Sequence, residues 1–171
     1  HLFDYSLSKR TFTELIGSAN YNAAINFYEH KKDLFNESLD NSEHLLLLSD
    51  CYENIGDYGK AEQILLELYN FNHLTERQQD EAKRLNAGEI DIIKFGIAKE
   101  LCGVYAKMGD NVGYEEYYLK MKSHITDSAD LAIKKMVEQN RDEFLGTYSL
   151  EGASLLGDIR MLYLTRPEFT A

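Results

Sequence analysis

Histidines, cysteines and paired carboxylates are the side chains that would give this chain chemistry of its own, and their spacing decides against it. His1, His30, His44, His73 and His124 are scattered. None completes an H-E-x-x-H helix face or a Cys/His set, which must bring ligands together within a turn or a tight pair to hold zinc. His44, beside the expected start of a helix, reads as a surface residue. Cys51 and Cys102 fall inside helical patterns with no C-x-x-C, so they read as buried free thiols. Glu89 and Asp91 stand two apart on a helix and face different directions, which leaves paired-carboxylate catalysis without support. The chain has no G-x-S-x-G, no glycine-rich phosphate loop and no G-x-G-x-x-G. The expectation is a protein that is not an enzyme and that takes no metal or cofactor.

Tyrosine carries more information. The chain has 12 tyrosines and no tryptophan, so tyrosine is its main aromatic anchor. Tyr114, Tyr117 and Tyr118 cannot all face inward on one helix, because adjacent residues lie about 100° apart, so at least one is exposed. Lys and Arg total 18 against 29 Asp and Glu, a net charge of −11. Such a surface repels phosphate backbones, which argues against nucleic acid, and it suits a basic peptide or plain solubility. No run of eighteen apolar residues occurs, so no transmembrane segment is expected. The chain opens on His1 rather than Met, which reads as an excised or processed piece. A cytoplasmic location is the expectation, with a periplasmic or exported one left open.

The elements that must position these residues are helical. Pro167 is the one proline, and no Val/Ile/Thr alternation marks a strand. A first helix covers Leu2 to Ala19, followed by a turn at 17–20. Phe35 to Asn41 reads as a loop ending at Ser42, a helix cap. Thr75-Glu76-Arg77-Gln78 has the form of a capping box and opens a solvated connecting helix over 76–88. Ile90, Ile93, Ile97, Leu101, Val104, Tyr105 and Met108 mark one face of a long helix. Gly96 and Gly103 within it imply close backbone approach, since glycine costs a helix about 1 kcal/mol against alanine. Ser128 or Asp130 caps a helix over 129–145. Leu155, Leu156, Ile159, Leu162 and Tyr163 form an amphipathic stripe over 150–165.

The stretch Leu45 to Leu68 organises the rest. Leu45-x2-Leu48-Ser49-x2-Tyr52, then Gly56-Asp57-Tyr58, then Ala61-x3-Leu65-x2-Leu68 resembles the tetratricopeptide repeat. Small residues, here Ser49 and Ala61, sit where two antiparallel helices cross closely. Residues 20–28, with Ala24 and Tyr28, give a second match. Leu101-Cys102-x2-Tyr105, Gly109-Asp110 and Tyr117-Tyr118 give a third, in which Tyr114 takes the place of the small crossing residue. The resemblance implies a single all-α domain over 1–171. It would be an antiparallel helix-hairpin, right-handed superhelical array with repeats at about 5–38, 42–75 and 95–128. The helices over 129–145 and 150–165 would cap it.

In proteins of this kind the first helix of each repeat lines a concave groove. The resemblance therefore implies a partner-binding groove of Glu43, Leu46, Leu47, Asp50, Glu53 and Asn54, flanked by Lys9 and Lys99. Leu47 could instead pack against the preceding repeat. The carboxylate clamp of chaperone adaptors is absent, because Lys9 fits but Thr13, Leu47 and Glu100 replace its polar and basic members. The expected function is a non-enzymatic scaffold or adaptor for a protein or peptide segment, with carboxylates favouring a basic partner. The alternatives are a regulatory or peptide-sensing region excised from a larger signalling or transcriptional protein, and self-association through the C-terminal stripe.

Overall fold

A computed structural model of the chain describes residues 2–38 and 41–138. These residues are helical with no strand among them. They fall into two compact units, one ending at Thr75 and one beginning at Glu76. The end of the helix expected over 129–145, and all of that expected over 150–165, lie outside the described residues.

The first unit contains α1 (Leu2–Gly17), α2 (Tyr21–His30), α3 (Lys32–Glu37), α4 (Asn41–Asn54) and α5 (Tyr58–Tyr69). Helix α2 packs on α1 and α4, and α4 packs on α5. Phe12, Tyr28 and Phe35 are fully or almost fully buried and touch one another, with Tyr28 and Phe35 stacked at 4.9 Å. Phe35 explains why 35–37 is helical where a loop is expected. A six-residue helix is too short to stand on propensity, so the buried stack of its aromatic residue holds it in place. His44 is likewise inside, not on the surface. It is 0% exposed, ringed edge-on by Tyr5, Phe12 and Phe35, with the Tyr5 hydroxyl 2.8 Å from its Nε2. Ser49 and Ala61, the expected crossing residues, are both buried. Helix α4 starts at Asn41, so Ser42 lies inside its first turn and does not cap it.

The second unit contains α6 (Glu76–Ala82), α7 (Ala87–Met108), α8 (Asn111–Ser123) and α9 (Asp127–Glu138). The helix expected over 76–88 stops at Ala82, and its Gln78 is buried, so that segment is not wholly solvated. Asn86 then starts α7. Its side-chain Oδ1 accepts from the Glu89 backbone amide at 2.9 Å and its Nδ2 donates to the Glu89 carboxylate at 2.6 Å, a reciprocal cap. Helices α8 and α9 both pack on α7. The small residue on the buried face of α8 is Gly113, not Tyr114. A methyl group there would stand 2.7 Å from the Tyr105 ring, while Tyr114 is exposed. Gly103 is exposed with open space beside it, so close approach does not explain it. A close approach in α7 is at Gly88, whose α-carbon faces the Ser128 carbonyl.

One turn recurs in both units. Ala19, Gly56, Phe71 and Gly109 have φ of +60°, +82°, +57° and +73° just after α1, α4, α5 and α7. The next residue donates its amide back across the turn, from Asn20 to Leu15, Asp57 to Tyr52, Asn72 to Glu67 and Asp110 to Tyr105, at 2.9–3.0 Å. This is the Schellman closure of a helix, and it needs a left-handed residue at its corner. Alanine fills that corner once, at a cost of about 1 kcal/mol. Ala19→Gly should therefore stabilise the first unit by about 0.5–1 kcal/mol in urea unfolding, whereas Gly56→Ala should cost a similar amount. Equal stability of Ala19→Gly and wild type would mean that Ala19 is not strained.

Candidate functional site

Six of the expected groove residues lie on α4. The buried residues are Asn41, His44, Leu48, Ser49 and Cys51. Glu43, Leu46, Leu47, Asp50, Glu53 and Asn54 recur at three- and four-residue steps and so share a second face, with Leu47 at its edge and the buried Ser49 beside it. Asp50 and Asn54 are exposed, while Glu43, Leu46, Leu47 and Glu53 are half-buried. Leu47 packs against the buried cluster that holds Phe12, Tyr28 and Phe35. The Asn54 amide donates to the Asp50 backbone carbonyl at 2.8 Å, a bond inside the helix. Lys9 stands half-buried on α1 of the same unit. Lys99 is exposed on α7, in the second unit.

A cleft of about 330 Å3 opens elsewhere in the first unit, and none of those eight residues lines it. Its apolar lining is Leu45, Leu48, Ile64 and Leu74, with Tyr52. Lys32 from α3 and Lys60 from α5 line its walls, as do Glu29 and Glu67. At one end the Tyr28 hydroxyl donates to Asn41 Oδ1 at 2.8 Å, and the Asn41 amide donates to Asn36 Oδ1 at 3.2 Å. This chain ties α2, α3 and α4 together beneath the cleft. Asn41 is 1% exposed, so its amide must be hydrogen-bonded inside the protein. Burial, with a smaller push from the Glu29 charge and a partial offset from the Asn41 bond, holds the Tyr28 phenol far above its ordinary range. Tyr28 is therefore a neutral donor.

At the cleft's other end His73 Nε2 lies 2.7 Å from Ser42 Oγ, joining the segment after α5 to the first turn of α4. Burial holds the His73 pKa below its ordinary value, partly offset by the Glu67 carbonyl beside Nδ1. The sign follows from linkage. The folded chain keeps His73 neutral while the unfolded chain takes up a proton near pH ~6.5, so stability falls as pH drops below that value. Above it His73 contributes no pH dependence. His73→Gln should flatten this part of the acid limb when urea unfolding is compared at pH 7.5 and 5.5. A wild-type slope retained in His73→Gln would assign the slope to other groups.

The second unit holds a polar cluster that adjacency in sequence does not reveal. His124 Nδ1 donates to Asp91 Oδ1 at 2.8 Å, and Thr126 Oγ1 donates to Asp91 Oδ2 at 2.9 Å. Thr126 also accepts from the Ala129 amide at 3.0 Å, which makes it the cap of α9 in place of Ser128 or Asp130. Asp91 thus pins the α8–α9 turn to α7. Its signal was a carboxylate on the apolar side of a helix, which needs partners once it leaves water.

The thiols are both buried. Burial, helped by the Asp50 charge, pushes Cys51 up to about 11, and burial raises Cys102. Neither is a nucleophile at neutral pH. Among the described residues no group of three or more His, Cys, Asp and Glu is placed to hold a metal ion. No helix among them is long and apolar enough to cross a membrane. No family model, curated protein or solved structure matches the chain.

Proposed function

We propose that this chain is a non-enzymatic scaffold of the tetratricopeptide kind, which holds a protein or peptide segment of basic character against the outer face of α4. The observation that carries the reading is that face itself. Leu46 is half-buried and Asp50, one helical turn on, is exposed, with Glu43, Glu53 and Asn54 on the same face. Apolar surface next to carboxylates gives affinity and a charge preference together. The reading is supported by the left-handed corners followed by Asp57 and Asp110 after α4 and α7, a Schellman turn that also closes α1 and α5. Asp57 and Asp110 go on to cap the next helix by accepting from the Lys60 and Gly113 amides. Repetition of a turn with its cap is what a hairpin repeat requires.

Reversing the charge of the face tests the reading. Asp50 is exposed and Glu53 is half-buried, so Asp50→Lys/Glu53→Lys should leave the helical circular dichroism and the urea midpoint close to wild type. Affinity for leucine–lysine peptides should fall about tenfold, the sum of two charge pairs each reversed from attraction to repulsion. Unchanged affinity in the folded variant would remove α4 as the binding face.

A further inference from the structure

The cleft between α2, α3, α4 and α5 is a site on a different face of α4 from the one above, and its chemistry differs. Through residue 75 the chain has twelve Asp and Glu, and its Lys and Arg are Lys9, Arg10, Lys31, Lys32 and Lys60. Two of those five line the cleft. Arg10 is paired with Glu14, but neither the Lys32 nor the Lys60 ammonium meets a carboxylate among the described residues. Two unpaired cations above an apolar floor, in a unit so rich in carboxylates, mark a place where an anion is wanted. Glu29 and Glu67 line the same cleft and bring its formal lysine–glutamate balance to zero. That balance disfavours a phosphate dianion and leaves the attraction for a single carboxylate local to the two lysines. The volume lies at the small end of the ~300–1,000 Å3 range of ligand pockets, room for a few side chains.

We propose that this cleft binds a short peptide segment carrying an aliphatic side chain next to a carboxylate. The aliphatic group covers Leu45, Leu48 and Ile64. The carboxylate sits between Lys32 and Lys60. The exposed Gln63 amide, on the same wall as Lys60, serves the peptide main chain. The chain thus has two faces of opposite preference, with the outer face of α4 taking basic segments and the cleft acidic ones.

The test is amide chemical-shift mapping of the 15N-labelled full chain against three blocked hexapeptides that alternate leucine with glutamate, lysine or glutamine. The leucine–glutamate peptide should shift the Asn36, Gln63 and Ile64 amides saturably and bind there about fivefold more tightly than the leucine–lysine peptide. Lys32→Glu/Lys60→Glu should invert that order. If the double reversal unfolds the unit, Lys32→Gln and Lys60→Gln singly should each narrow the preference. Shifts at the Asp50 and Asn54 amides report the outer face separately, so failure at one site is distinguishable from failure at the other. The proposal is overturned if no saturable shift appears at the cleft amides, if wild type prefers lysine there, or if the lysine substitutions leave the order unchanged.

Discussion

Gly88→Ala should destabilise the second unit by about 2–3 kcal/mol. Gly88 is buried in the first turn of α7, and an added methyl would run into the Ser128 carbonyl while standing 3.1 Å from the Ala132 methyl. The obstacle is backbone, which has no rotamer through which to retreat. Helix α9 must therefore move away from α7, and overpacking of this kind costs about 1–3 kcal/mol or more. The displacement would also pull on the Thr126 and His124 bonds to Asp91, which hold the start of α9 in place. Gly103→Ala in the same helix is the matched control. Gly103 is exposed with open space beside it, so alanine there should add about 0.5–1 kcal/mol from propensity alone. Opposite signs for two Gly→Ala changes fifteen residues apart would be read directly from urea midpoints. If Gly88→Ala is as stable as wild type, α9 does not pack on α7 as described.

Tyr28→Ala should cost the first unit about 3–5 kcal/mol, the range for emptying an aromatic site in a core. Tyr28 is 1% exposed, stacks on Phe35 and leans on Phe12. Its loss would remove the surface that holds the six-residue α3 in helical form. Tyr28→Phe separates packing from hydrogen bonding. The ring stays, but the buried Asn41 carbonyl loses its donor, at a cost of about 1–3 kcal/mol. Because Asn41 also bonds Asn36, Tyr28→Phe should loosen α3 against α4, and amide exchange in residues 32–37 would show it. Equal stability of Tyr28→Phe and wild type would mean that the buried amide finds another donor.

The central hairpin is legible in the sequence because its signals are local. Apolar residues at helical steps, Gly56-Asp57 at the turn and small Ser49 and Ala61 at the crossing all agree. The third hairpin slips by one residue. Its turn repeats Gly-Asp at 109–110, yet the buried small residue comes four positions after Gly109 instead of five after Gly56, so Gly113 and not Tyr114 faces α7. Helix α3 and the interior position of His44 were not legible, since both depend on aromatic neighbours supplied by α1 and α2. The start of α7 was written in Asn86-x-x-Glu89, a capping pair that the apolar stripe beginning at Ile90 obscures. The α4 face follows from helical periodicity alone. The cleft does not, because three further helices and residues 73–75 must come together before Lys32 and Lys60 share one wall-to-wall space.

The most direct test of the scaffold reading is retention of protein from native lysate on immobilised wild type and on Asp50→Lys/Glu53→Lys, with both shown to be folded and the retained species identified and titrated. The prediction is a basic partner held by wild type, lost from the variant, and weakened by added salt as a charge-guided contact must be. A partner retained equally by both, or no partner for either, would contradict a binding face on α4.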